Sequence, residues 1–149
     1  MNSNFEIEVP IKRLDKGLPL PAYAYQGDAG LDLLSTVSVQ INPQERIVIP
    51  TGIAVAIPEG FAGFVLPRSG LAARHGLTLV NAPGLIDAHY RGELKIIALN
   101  TDGSSVIQIS RGDRIAQLVI QRVPKVALVE VDELDDTDRG TRGFGSSGR

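Results

Sequence analysis

The fold turns on one stretch, L-T-L-V-N-A-P-G-L-I-D-A-H-Y-R-G-E-L, which runs from Leu77 to Leu94. Leu77 to Val80 form a short apolar run of the kind buried in a sheet. The run breaks at Asn81-Ala82-Pro83-Gly84, four residues that include strong turn formers. It resumes at Leu85-Ile86, then sets Asp87, His89, Tyr90 and Arg91 in quick succession before a second apolar segment, Leu94–Leu99. Two apolar strands around a polar tip bearing Gly and Pro predict a hairpin-like loop held by a rigid sheet. Binding and catalytic residues are often found on such loops. Asp87 is the candidate for chemistry, although the stretch taken alone fits a charged surface turn equally well.

Outward from this stretch the chain reads as strands and little else. Ile7–Leu14 alternates apolar and polar residues and reads as a first strand. Val37–Ile41, Arg46–Ile49, Ile53–Ile57 and Phe61–Leu66 are further candidates before the stretch; Ser105–Ile109, Ile115–Ile120 and Lys125–Val131 follow it. Turn formers such as Asn42-Pro43, Pro58-Glu59-Gly60 and Asp102-Gly103 separate them. Short strands at intervals of roughly 8–12 residues predict an all-β sandwich, jelly roll or barrel. Aromatic residues are 5% of the chain against 43% hydrophobic, so the core must be built from Val, Ile and Leu, which suit a pleated sheet.

Composition narrows the chemistry. The chain has 149 residues, the size of one domain, and a net charge of −2, which gives no sign of a nucleic-acid or anionic-membrane partner. It has no cysteine, so neither disulfides nor thiolate chemistry are available. Two histidines without cysteine make a protein-built zinc site a poor expectation. Met1–Pro10 lacks a secretory apolar core, and no segment is long enough to span a bilayer; the expected location is the cytoplasm.

Four other segments carry polar residues in suggestive places. Gly27-Asp28-Ala29-Gly30-Leu31-Asp32 sets two carboxylates before an apolar run, either as a turn into a strand or as a group beside a bound cation's water shell. One short helix is expected at Ser69–His75, with Ser69 as N-cap and Gly76 as the stop. Arg68, Ser69 and Gly70 then meet at a helix N-terminus, where free N–H groups, the dipole and a guanidinium suit phosphate. Gln117 interrupts the apolar strand Ile115–Ile120, and its buried amide needs partners, for which backbone is the simpler choice. Arg111-Gly112-Asp113 is a turn between strands. After Val131 the chain becomes acidic and then Gly- and Arg-rich, too poor in apolar surface to order itself. The division expected is a body, residues 1–131, and an arm, residues 132–149, with Phe144 able to stack on a planar ring if the arm closes as a lid.

Together and in this order the segments resemble one family. A-G-L-D-L (Ala29–Leu33), P-R-S-G-L-A (Pro67–Ala72), N-A-P-G-L-I-D-A-H-Y-R-G-E-L (Asn81–Leu94), G-D-R-I-A-Q-L (Gly112–Leu118) and R-G-T-R-G-F-G-S-S-G (Arg139–Gly148) look like the five motifs of the trimeric dUTP pyrophosphatases. The resemblance implies a β jelly roll that forms a homotrimer, with active sites between subunits and the arm closing over a neighbour's site. It implies hydrolysis of dUTP to dUMP and pyrophosphate by attack of water on the α-phosphorus, with Mg²⁺ carried mainly by the phosphates and waters. Asp87 would deprotonate the water, and Asp32 would touch a metal-bound water, with Asp28 a weaker candidate. Arg68, Ser69, Gly70 and Gln117 would bind phosphate. Asn81 and the backbone of Leu85, Ile86 and Asp87 would read uracil. Tyr90 would pack on the sugar and exclude a 2′-hydroxyl, and Lys95 would lie near the base. Phe144, with Gly145 beside it, would cover the uracil, while Arg139, Ser146 and Ser147 would grip the outer phosphates.

Three positions depart from the family pattern or vary within it. Arg142 stands where the last motif usually has Gly, which puts the local backbone in question if that position needs φ > 0. Ala88-His89 is a variable pair, and His89 and His75 are expected to be exposed or structural and not catalytic.

Overall fold

The computed structural model describes residues 7–148. Eleven short strands and one helix follow in order: β1 Ile11–Arg13, β2 Leu31–Leu34, β3 Val39–Ile41, β4 Arg46–Pro50, β5 Ile53–Val55, β6 Phe61–Leu66, α1 Ser69–His75, β7 Leu77–Leu79, β8 Gly84–Ile86, β9 Lys95–Asn100, β10 Ile107–Ile109 and β11 Arg114–Arg122. They form a four-stranded sheet ordered β2-β11-β6-β8, a three-stranded sheet ordered β4-β9-β7, and two ribbons, β1-β5 and β10-β3. Every pairing is antiparallel. The architecture is an all-β jelly roll with a single short helix.

One contiguous core draws on both sheets and both ribbons. Leu33, Ile41, Ile49, Leu94 and Ile96 are at most 1% exposed. Its buried hydrophobic members are all Ala, Val, Leu or Ile, as the low aromatic content requires. In β9 the side chains alternate between core and surface, the period-2 pattern of a strand with one buried face. Asn100 is the exception, fully buried at the end of β9. Its Nδ2 donates to Ile41 O and Ser105 O, both at 2.9 Å, and its Oδ1 accepts from Asp102 N at 2.9 Å. A buried amide is tolerated there because these bonds replace its water.

The Leu77–Leu94 stretch does more than turn. β7 and β9 pair as expected, with Leu77 opposite Asn100 and Leu79 opposite Ala98. The tip between them contributes a strand of its own, β8, which joins the other sheet by pairing with β6. The loop therefore bridges the two sheets instead of projecting from one. Gly84 is buried against Val65 and Asn81, so the small residue fits a close approach of backbones. The Ala82–Pro83 peptide is cis.

Three local expectations need correction. Ser69 is the first residue of α1 and not its N-cap; Arg68 holds that position in an extended conformation, with no side-chain capping bond. Gly76 does end the helix in the left-handed region, at φ 67°. Lys125–Val131 forms no strand: among the described residues no partner strand pairs with it, and Val126, Leu128 and Val129 are largely exposed. Ser105 is taken out of β10 by Asp102, whose carboxylate accepts from Ser104 N and Ser105 N in an Asx-type turn.

Candidate active site

Antiparallel register builds the first part of the site. Asp32 on β2 faces Gln117 on β11, which in turn faces Leu66 at the end of β6. The chain leaves β6 through Pro67-Arg68, so the basic segment returns over the same row. Arg68 Nε lies 3.2 Å from Asp32 Oδ1, and Arg68 Nη1 donates to Arg114 O at 3.0 Å. Arg114 Nε approaches Asp32 Oδ2 at 3.7 Å. Gln117 Nε2 donates to Pro67 O at 2.9 Å, the backbone role expected from its strand position, and one amide hydrogen remains. Its oxygen abuts Gly30: a Cβ there would fall 2.6 Å from it. Asp28, Asp32, Arg68, Ser69, Gly70 and Gln117 line one cleft of about 450 Å³.

Sequence reasoning missed two cations of this region. Arg114 holds the second oxygen of Asp32, and Arg74 reaches back along α1 to cover Gly70 and line the cleft. Arg114 was not legible: three residues before Gln117 on a regular strand it would point to the opposite face, and only the register shift between Arg114 and Ala116 lets it reach Asp32. Arg74 follows Gly70 by four residues, one helical turn. Arg68 and Arg114 also line a separate cavity of about 640 Å³ that includes His75.

The second part of the site is the hairpin cleft of about 330 Å³, lined by Leu85, Ile86, Asp87, Tyr90 and Lys95 together with Val48, Glu93, Leu94 and Ile97. Tyr90 N donates to Asp87 O at 3.1 Å, and Tyr90 Oη donates to Glu93 O at 3.0 Å. Arg91 Nη1 ties the tip together through Ala88 O and Tyr90 O. Among the described residues the Asp87 carboxylate makes no hydrogen bond or ion pair, and it is exposed at the rim. His89 is exposed and bonds Glu59 at 3.0 Å, pinning the tip to the turn before β6. Asn81 lies in the turn ahead of β8, beside Gly84 and outside this cleft's lining.

The two clefts share no lining residue. Asp32 and Asp87 belong to opposite edges of the four-stranded sheet and lie at different heights along it, on the order of 20 Å apart by strand spacing and rise. Within one chain the two carboxylates therefore belong to separate sites on the surface. The third part, the arm, is fully exposed along residues 132–148. Arg139, Phe144, Gly145, Ser146 and Ser147 do not join either cleft in this chain. Phe144 is completely exposed, at φ 48°. Arg142 is not in the left-handed region, whereas Gly140, Phe144, Gly145 and Gly148 are. Its guanidinium bonds Arg139 O and Asp138 O, so an Arg fits here without backbone strain.

No group of three or more His, Asp or Glu gathers as a metal cage among the described residues. Both oxygens of Asp32 face guanidinium groups. This donor set does not fit a bare cation, but it fits one that arrives on phosphates and keeps its waters. A family model for dUTPase matches residues 16–148.

The chain belongs to the dUTPase family.

The deoxyuridine 5′-triphosphate nucleotidohydrolase of Thermobifida fusca is 61% identical over 142 residues, 95% of this chain and 79% of that protein. The Corynebacterium glutamicum enzyme of the same name is 58% identical over 141 residues, 95% of each chain. A dUTPase of Staphylococcus bacteriophage 80alpha, solved with dUpNHpp, superimposes with a TM-score of 0.86 at 33% identity, covering 95% of this chain and 99% of that one. A phage phi11 dUTPase, whose structure details coordination of a structural Mg(II) ion, gives 0.80 at 30% identity over 87% of this chain and 100% of that one. These matches fit the jelly roll described above.

Proposed function

We propose that the protein hydrolyses dUTP to dUMP and pyrophosphate, which keeps uracil out of DNA and supplies dUMP for thymidylate synthesis. The observation that carries the reading is the division of labour between clefts: one is cationic and polar, the other largely apolar with a free carboxylate at its rim. The apolar cleft suits uracil and deoxyribose. Backbone groups of Leu85, Ile86 and Asp87, with Asn81, would match the donor and acceptor pattern of uracil and reject cytosine. Lys95 would lie beside the base.

Asp87 would act as general base. It accepts a proton from water as the water oxygen bonds to the α-phosphorus and the bond to the bridging oxygen of the β-phosphate breaks, which releases pyrophosphate. Among the described residues nothing occupies its carboxylate, which leaves it able to orient that water. Arg68 uses Nε and Nη1 within the chain and keeps Nη2 for phosphate; Ser69 and Gly70 offer backbone N–H groups, and Gln117 offers its remaining amide hydrogen. Mg²⁺ bound to the phosphates would supply charge neutralisation, with Asp32 touching a metal-bound water. The separation of the two clefts supports a homotrimer in which each site takes the cationic cleft and the hairpin cleft from different subunits. The arm, residues 132–149, would close a site with Phe144 over the base and Arg139, Ser146 and Ser147 on the phosphates.

The test is pyrophosphate release from dUTP with Mg²⁺, with and without chelator, beside dCTP and dTTP controls. Turnover of dUTP alone is expected. Ammonia from dCTP would instead place the protein among deaminases, and background-rate turnover would leave a nucleotide-binding module. A mass of one chain in sedimentation equilibrium would remove the shared-site model.

A further inference from the structure

Gly92 has no conformational need to be glycine. Its φ lies outside the left-handed region, unlike Gly52, Gly60 or Gly76, so an L-residue could adopt the same backbone. What it lacks room for is a side chain. A Cβ at this position would meet Tyr90 Oη, would stand 2.6 Å from Cζ and would stand 3.0 Å from Cε2. Ordinary carbon contacts are about 3.5–4.0 Å, so the whole edge of the ring would have to move. A hydrogen bond holds the same end of the ring against this bare backbone. Tyr90 Oη donates to Glu93 O at 3.0 Å. That carbonyl is fixed because the next residue is locked into the body: Leu94 N donates to Ile53 O at 2.9 Å, and Thr51 N donates to Leu94 O at 3.2 Å. The Glu93 carboxylate also accepts from Gly52 N at 3.0 Å. On its open side, Tyr90 remains 45% exposed, so a displaced ring has somewhere to go without unfolding the chain.

We propose that Gly92 is a specificity-determining position: by its missing Cβ it lets the Tyr90 ring lie against the backbone at one fixed depth in the hairpin cleft, and that depth sets the discrimination between 2′-deoxyribose and ribose. The proposal rests on the reading that Tyr90 packs on the sugar. A Cβ at position 92 lifts the ring and loses the surface that collides with a 2′-hydroxyl. The effect differs from a general weakening of binding, because it falls on the ratio between two substrates that share base and phosphates.

The experiment is kcat/KM for dUTP and UTP in the full-length protein and in Gly92→Ala, Tyr90→Leu and the double variant, with thermal unfolding of each. Gly92→Ala should lower the dUTP-to-UTP ratio by on the order of tenfold or more, the scale of a misfitted pocket contact. In the Tyr90→Leu background the same change should have little further effect on the ratio or on stability, because the ring it strikes is gone. An equal loss with both substrates in Gly92→Ala would overturn the proposal and leave a structural glycine. So would an unchanged ratio in Gly92→Ala when Tyr90→Leu lowers it. An unchanged ratio in Tyr90→Leu would overturn the sugar-facing reading itself. If Gly92→Ala alone folds poorly, recovery of folding in the double variant supports the clash, and failure to recover overturns it.

Discussion

The hairpin cleft and the C-terminal arm each carry one aromatic residue of the candidate site, Tyr90 in the first and Phe144 in the second, yet they are held in opposite ways. Cleft residues are fixed by partners far off in sequence. Leu85 faces Phe64 across a sheet, Lys95 faces Pro50, and Glu93 bonds Gly52. Every hydrogen bond recorded in the arm closes within four residues, such as Gly140 N to Thr137 O or Ser146 N to Gly143 O. The difference teaches where ordering must be supplied on ligand binding. The cleft is already in place, whereas the arm has local turns and, among the described residues, no anchor on its own chain.

The largest expected effect falls on the fixed side. Asp87→Asn should retain nucleotide binding and lower turnover by on the order of 10²–10⁴; near-normal turnover in a pyrophosphate assay would remove Asp87 from its role. Deleting residues from Arg139 onward should lower kcat/KM by on the order of 10², the scale of lost positioning, with the melting temperature nearly unchanged. A truncated chain that unfolds would make the arm structural and erase the contrast. On stability the two regions should separate cleanly. Leu33→Ala, in the fully buried core, should cost about 2–5 kcal/mol in chemical denaturation. Leu134→Ala, 86% exposed, should cost less than about 0.5 kcal/mol in the same assay.

Acid should produce the smallest effect, and only in the body. The carboxyl of Asp15 is held below its ordinary value of 3.8, first by the hydrogen bond from Arg111 and then by Gly17 N–H. Asp102 is lowered likewise by the N–H groups of Ser105 and Ser104. A lowered folded value means that the stabilisation is complete above the unfolded value and is lost as pH falls through the folded one. Denaturation midpoints should therefore decline below about pH 4, and Asp15→Asn should show a flatter decline. An identical slope in that variant would deny Asp15 the role.

How much of this was legible in the sequence depended on where each residue finds its partner. Phe61–Leu66 and Ser69–His75 come out residue for residue, because apolar pattern and a glycine stop are local signals. β8 was missed: three residues beginning with Gly84 carry no periodicity, and only β6, in another part of the chain, makes them a strand. Lys125–Val131 failed for the opposite reason, a strand-like pattern with nothing to pair with among the described residues. Asp32, Arg68 and Gln117 were each visible as polar exceptions, but their grouping required the register of β2 and β11. Asn100 and Gly92 gave no sequence signal of their roles. Both are defined by what surrounds them, a ring of backbone partners in one case and an aromatic edge in the other.

Because β8 belongs to one sheet while β7 and β9 belong to the other, the segment bearing Asp87 is a seam across the sandwich. Peeling either half away would tear that seam. Enzyme inactivation should accordingly track global melting, with no half-open species that still turns over substrate; the loop bearing Asp87 doubles as a gauge of whether the whole barrel is shut.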